Sequence, residues 1–195
     1  MSIIIGLTGP TGAGKSVASK QAEKLSVRVI DCDRVARDVV SKNSDALSSL
    51  VNAFGADILN TDGTLNRKAL ANKAFSAKEN TDLLNNTLLP YIVKEIKSSI
   101  GDENILLDAP TLFESGMDSI CTHTVAILSN NNIRFNRITE RDKLNLDEAT
   151  IRMSAGKSDE YYISRAGHII YNNGDINTFM SEVLQLFSKL YGGKK

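Results

Sequence analysis

The sequence predicts an α/β protein built on a five-stranded, mainly parallel sheet flanked by helices. Five short apolar runs, each too short for a helix, alternate with stretches of helical periodicity, which is how βα units read in sequence. A glycine-rich turn follows the first run and opens directly into the first helical pattern. The chain has 195 residues, 42% hydrophobic and 24% charged, enough apolar content for a folded core rather than a disordered chain.

The first strand is read at residues 3–7, where Ile3, Ile4, Ile5 and Leu7 suit a strand buried on both faces. A helix follows at 16–25, because Val17, Ala18, Ala22 and Leu25 fall near helical spacing. The second strand covers 27–30. Helical patterns then recur at 33–40, 44–54, 67–75 and 78–100. A single crossover helix does not need so much chain. The excess is expected to form a helical lobe at the carboxyl edge of the sheet, with a turn at Asn60-Thr61-Asp62-Gly63. Strands three and four are read at 105–107 and 125–128. A second helical insertion, 133–158, carries Arg134, Arg137, Arg141 and Arg152. The fifth strand is read at 168–171. The last helix, 176–190, is capped by Asp175 or Asn177 and has an apolar stripe of Phe179, Val183, Leu186, Phe187 and Leu190. Residues 192–195 are expected to fray.

Charge narrows the function. Lys and Arg total 23 and Asp and Glu total 23, so the net charge is zero. A generic nucleic-acid binder usually carries a basic excess. No apolar run approaches the length of a membrane span, and the amino-terminal stretch lacks the basic region of a signal peptide. Cys32 and Cys121 have no paired spacing, so neither a disulfide framework nor a cysteine zinc cluster is expected. A reducing, cytoplasmic setting follows as the default.

Gly9-Pro10-Thr11-Gly12-Ala13-Gly14-Lys15-Ser16 fits the phosphate-loop pattern G-x-x-x-x-G-K-[ST]. Glycines let the backbone turn tightly and aim several N–H groups at one point. That nest and the helix start behind it favour a polyphosphate. Lys15 can reach the β- and γ-phosphates, and the Ser16 hydroxyl can ligate Mg²⁺. A second Gly-Lys-Ser, at 156–158, has Ile151 where the first glycine belongs and no strand before it, so it reads as a solvated helix end.

Two carboxylates, Asp31 and Asp33, follow the second strand, where ligands bind in parallel sheets. One can take a proton from an attacking hydroxyl and the other can orient Mg²⁺ through water. Equally, one can cap the helix that follows. The third strand ends in Asp108, a Walker-B-like position that can hold Mg²⁺ or stabilise the turn Ala109-Pro110.

The ordered set of segments resembles the dephospho-CoA kinase family over nearly the whole chain. It comprises Ile5-Gly6-Leu7-Thr8-Gly9 leading into the loop and Val29-Ile30-Asp31-Cys32-Asp33 before Val35-Ala36-Arg37. Phe54-Gly55, then Gly63-Thr64-Leu65-Asn66-Arg67 and Leu70, and Asp108-Ala109-Pro110-Thr111-Leu112-Phe113-Glu114 follow. Arg137, Arg141-Asp142, Glu148-Ala149 and Arg152 are similar to the family's lid, and Asn172-Asn173-Gly174 to its late turn.

The resemblance implies a P-loop, nucleotide-kinase-like fold. Its core would take 1–33, 101–132 and 159–195, with a substrate-binding helical lobe at about 34–100 and a lid at about 133–158. It implies transfer of the ATP γ-phosphoryl group to the ribose 3′-hydroxyl of 3′-dephospho-CoA, with Mg²⁺. Asp33, Lys15 and Arg141 would be catalytic: Asp33 the base, Lys15 on the phosphates, Arg141 neutralising charge on the transferring group. Thr11, Gly12, Ala13, Gly14, Lys15, Ser16, Arg137, Asn173 and Gly174 would hold ATP, with the turn Asn172–Gly174 shaping the adenine end. Asp33, Arg67 and Asp108 would meet the acceptor, and Ser16, Asp31 and Asp108 the metal. The partner would be a small-molecule substrate, with no nucleic acid or membrane, and the chain a monomer or weak homo-oligomer.

The chain departs from the family pattern at Leu89, before Pro90, and at Thr111, Gly156 and Val17. His123 reads as a loop residue, His168 and the tyrosines 161, 162 and 171 as packing residues. Cys32, between two carboxylates, is a poor nucleophile because their charge disfavours the thiolate. A nucleoside monophosphate kinase is disfavoured by the 63–67 segment. A GTPase switch would need an N-K-x-D motif, which is absent from the sequence. A catalytically dead CoA-binding protein is the remaining rival.

Overall fold

A computed structural model of the chain describes residues 2–192. It divides into two compact units. The first comprises residues up to Ile30, Asp102–Leu112 and the chain from Cys121 onward; the second comprises Asp31–Gly101 and Phe113–Ile120.

The strands are β1 (Ile4–Thr8), β2 (Arg28–Asp31), β3 (Ile105–Asp108), β4 (His123–Leu128) and β5 (His168–Tyr171), in the order β2-β3-β1-β4-β5. β1 pairs in parallel with β3 and β4, and β4 with β5. β1 lies at the centre because its apolar residues tolerate neighbours on both sides: Ile5 and Leu7 are fully buried. The register sets Leu7 beside Asp108 and beside Val125. The carboxyl ends of β1 and β3 therefore finish together, next to the glycine-rich turn.

Helix α1 (Lys15–Glu23) turns Ala18 and Ala22 inward. The last helix, α9 (Ile176–Gly192), turns Phe179, Val183, Phe187 and Leu190 into the same apolar cluster, with Leu106, Ile127 and Ile170 of the sheet. Asp175 caps α9, its Oδ1 accepting from the Asn177 and Thr178 amides. The alternative cap at Asn177 is not used. The tail expected to fray lies, past Gly192, outside the described residues. Three further helices belong to this unit: α6 (Asn131–Asp142), α7 (Leu146–Ser154) and α8 (Asp159–Ile163). α6 is anchored by buried Arg134 and Ile138. α7 opens with a reciprocal capping box between Asn145 and Glu148.

The second unit holds α2 (Cys32–Asp38), α3 (Asp45–Phe54), α4 (Arg67–Ala74) and α5 (Lys78–Ser99). Ser44 and Asn66 accept from backbone amides to cap α3 and α4. Its own core gathers Val40, Leu50, Phe54, Ile58, Leu70 and Ala74. The predicted turn is present, with the Gly63 amide bonded to the Asn60 carbonyl, and it closes a Leu59–Leu65 antiparallel bridge. No helix among the described residues is long and apolar enough to cross a membrane.

Most element boundaries fall within a residue or two of the sequence reading. β4 starts two residues before the reading, at His123, so this residue is the first of a strand and not a loop residue. Its ring packs edge-on to that of His168, 5.8 Å between centroids. Of the three tyrosines, Tyr162 is buried, whereas Tyr171 is 52% exposed and Tyr161 lies under the Arg165 guanidinium.

Candidate active site

The phosphate loop leaves β1 through Gly9, whose φ is +142°; a Cβ there would sit 2.2 Å from the Ile127 carbonyl oxygen. Only glycine allows β1 to pass so close to the β4 backbone. The loop enters α1 through Gly14, φ +107°, which has no side chain to cap the helix. The Val17 amide bonds the Gly14 carbonyl at 3.0 Å, and the amides before it face an outside acceptor as at any uncapped helix start. Loop residues 9–12 and 14–17 line a cavity of about 680 Å³ with Pro110, Arg137, Glu140 and Arg141.

The carbonyls of the loop are taken up from within the protein. Arg134 Nε donates to Thr11 O at 3.0 Å. Arg137 Nη1 donates to Gly12 O at 3.3 Å. Asn172 Nδ2 donates to Ala13 O at 2.8 Å. Arg137 also reaches Ser129 Oγ and, through Nη2, the carbonyl and side-chain oxygens of Asn172. Burial pulls the pKa of both guanidinium groups below that of a free arginine.

At the foot of the loop Lys15 Nζ forms an ion pair with Asp108 Oδ1. Ser19 Oγ donates to the other carboxylate oxygen at 2.6 Å. Asp108 is thus positioned from two successive turns of α1. Arg141 is 56% exposed and grips Asp142 with Nε and Nη2, at 2.7 and 2.8 Å. Arg152 of α7 donates to the same carboxylate at 2.7 Å. Asp142 is held below the usual carboxylate range, first by its hydrogen bond from Arg141 and then by the charges of Arg141 and Arg152. After β5, Asn173 accepts from the Asn130 amide at 2.7 Å, and Gly174 is exposed.

Comparison with known proteins fits this geometry. The dephospho-CoA kinase family model matches residues 3–178. The chain belongs to the dephospho-CoA kinase family. A dephospho-CoA kinase of Fusobacterium nucleatum is 36% identical, covering 94% of this chain and 96% of that protein. One of Pseudoalteromonas translucida is 35% identical, covering 94% and 89%. A crystal structure from Thermus thermophilus superposes with TM-score 0.75 at 25% identity, covering 97% of this chain and 98% of that one. At 16% identity, a shikimate kinase from Acinetobacter baumannii shares the fold alone, with TM-score 0.55.

The structure thus brings Thr11–Ser16, Asp108, Arg137 and Arg141 of this family member into one unit, around or beside the cavity. Asp31, Asp33 and Arg67 belong to the second unit. There Asp31 takes the capping alternative: its Oδ1 accepts from the Arg34 amide at 3.0 Å. Asp33 stands exposed in the first turn of α2, and Arg67 Nη2 donates to the Arg37 carbonyl at 3.2 Å. Sequence reasoning missed Ser19 and the inward role of Arg134, and it named Asp142 and Asn172 without their contacts to Arg141, Arg152 and Ala13. One signal was available. Arginines at 134, 137 and 141 have i, i+3, i+7 spacing and share a helix face.

Proposed function

We propose that this chain transfers the γ-phosphoryl group of ATP to the ribose 3′-hydroxyl of 3′-dephospho-CoA, giving CoA and ADP. The observation that carries the reading is the match to the dephospho-CoA kinase family along residues 3–178. The cavity bounded by an uncapped helix start and Lys15 supports it chemically, since both favour a polyphosphate.

In this reading the loop amides hold the ATP phosphates. Lys15 exchanges Asp108 for the phosphates, and that exchange releases Asp108 Oδ1. The hydroxyl of Ser16 and the carboxylate of Asp108 are hard oxygen donors, the type that Mg²⁺ prefers. Asp31, which also caps α2, would orient the metal through water. Bound there, Mg²⁺ would supply charge neutralisation on the phosphates. No group of three or more His, Cys, Asp or Glu converges among the described residues, and Mg²⁺ commonly takes few protein ligands beside phosphate and water.

Asp33 takes the proton of the attacking hydroxyl. Arg141 turns from Asp142 toward the transferring group and neutralises developing charge. Arg67 contributes to the acceptor lobe, Asn173 and Gly174 to the adenine end. The outer part of α6 with α7 acts as a lid that excludes water, an alternative phosphoryl acceptor. A cytoplasmic setting and a monomer or weak homo-oligomer complete the proposal.

A coupled ADP-release assay with ATP–Mg²⁺, comparing dephospho-CoA with nucleoside monophosphates, tests the reading. Release with a nucleoside monophosphate alone would overturn the acceptor. Asp33→Asn should lose about 10²- to 10⁴-fold in turnover, the usual size of general-base catalysis, with an unchanged melting temperature. Near-normal turnover would remove the base assignment.

A further inference from the structure

A peptide unit is planar and trans, so its C=O and N–H point in opposite directions. A loop that aims amides at a ligand must therefore turn the partner carbonyls away from it. Carbonyls turned into the protein must find donors there, or the loop will reorient to satisfy them. The bond to the Ala13 carbonyl decides where the Gly14 amide points, because both belong to one peptide.

The shorter of two bonds to Ala13 O comes from Asn172 Nδ2, at 2.8 Å from a residue 159 positions later in the chain; Arg137 Nη1 also donates to it, at 3.5 Å. Asn172 is 2% exposed. Its amide is used at both ends, because Oδ1 accepts from Arg137 Nη2 at 3.2 Å. Its backbone carbonyl is fastened as well, by Ser129 Oγ at 2.8 Å. The fit against the loop is close. A Cβ on Gly14 would lie 2.2 Å from Asn172 Nδ2.

We infer that Asn172 is a positioning residue of the phosphate loop: its buried amide holds the Ala13 carbonyl inward, away from the ligand, and so aims the Gly14 amide at the polyphosphate. This rests on the reading of the loop as a polyphosphate site. It differs from the role that the resemblance gives the whole Asn172–Gly174 turn, which concerns the adenine end. Asn172 touches no reacting atom and acts through the backbone of residues 13 and 14.

The test compares Asn172→Ala and Asn172→Asp with the unaltered chain. Asp keeps the shape but sets an acceptor against the Ala13 carbonyl, so it covers the case in which the alanine variant does not fold. Calorimetric titration with ADP and with inorganic tripolyphosphate reads the loop; steady-state kinetics reads KM for ATP and for dephospho-CoA. Both variants should weaken ADP and tripolyphosphate by about tenfold, the scale of one unsatisfied buried hydrogen bond. KM for ATP should rise in parallel, and KM for dephospho-CoA should stay within about twofold. A lower melting temperature with unchanged ADP and tripolyphosphate binding would reduce Asn172 to packing and overturn the inference. Loss of ADP binding with tripolyphosphate unaffected would place its action at the base and overturn it too. An unaltered chain that binds both probes but leaves dephospho-CoA unphosphorylated would sink the acceptor assignment while this inference stood.

Discussion

Replacing Arg134 with methionine tests how the phosphate loop is held. Arg134 is 3% exposed, and its Nε donates to Thr11 O at 3.0 Å. Its Nη1 donates to Asn131 Oδ1 at 3.2 Å and lies 3.5 Å from Asp159 Oδ1. That Asp159 oxygen is buried with no hydrogen-bond partner. Methionine keeps the apolar stem packed and removes every donor. Hydrogen bonds from a charged group contribute about 1.5–3 kcal/mol each, less where the geometry is long. The Asp159 side chain is 34% exposed, so water screens the ion pair to about 1 kcal/mol or less. Together the loss is about 2–4 kcal/mol. At about 2–4 °C per kcal/mol for a chain of this size, the melting temperature should fall by about 5–15 °C. Differential scanning calorimetry measures it. Adding Asp159→Asn to Arg134→Met should recover part of the loss, because the stranded carboxylate is gone. If Arg134→Met melts within about 2 °C of the unaltered chain, buried guanidinium bonding does not hold the loop.

Two further outcomes follow from the site and the sheet. Arg141→Ala should depress turnover about 10²- to 10³-fold while ADP affinity, by calorimetry, changes only severalfold; weaker ADP binding at unchanged turnover would remove its transition-state role. His168 has its pKa lowered, first by desolvation and then by the charges of His123 and Lys189. In the unfolded chain it binds a proton near pH 6.5, so between that pH and its lower folded pKa the unfolded state holds more protons. Stability should therefore fall as pH drops below about 6.5. His168→Gln should flatten that limb of melting temperature against pH, and an unchanged limb would assign it to other groups.

Local signals carried well in this chain. The glycine spacing at 9–16 marked the loop, and Asp175, one of the two caps read for the last helix, caps α9. Asp31 was ambiguous from sequence because a carboxylate before a helix serves capping and metal binding equally well. Its bond to the Arg34 amide, only three residues away, assigned one oxygen. His123 was misread because a polar residue at a strand start looks like loop until its pairing with Ile5 is known. Arg134 and Arg137 were read with the charged lid, since composition alone does not distinguish an inward from an outward arginine.

From the residues alone it followed that Gly9 and Gly14 could turn, that a helix would open at Ser16, one residue after its observed start, and that five apolar runs would form a mainly parallel sheet. Those outcomes follow from backbone sterics and short-range periodicity, which a residue and its near neighbours set. Tertiary structure decided the partners: Asp108 for Lys15, Arg134 for Thr11, Asn172 for Ala13. A hydrogen bond is directional and short, and its partner is chosen only when the sheet register and helix packing bring residues from distant parts of the chain within about 3 Å.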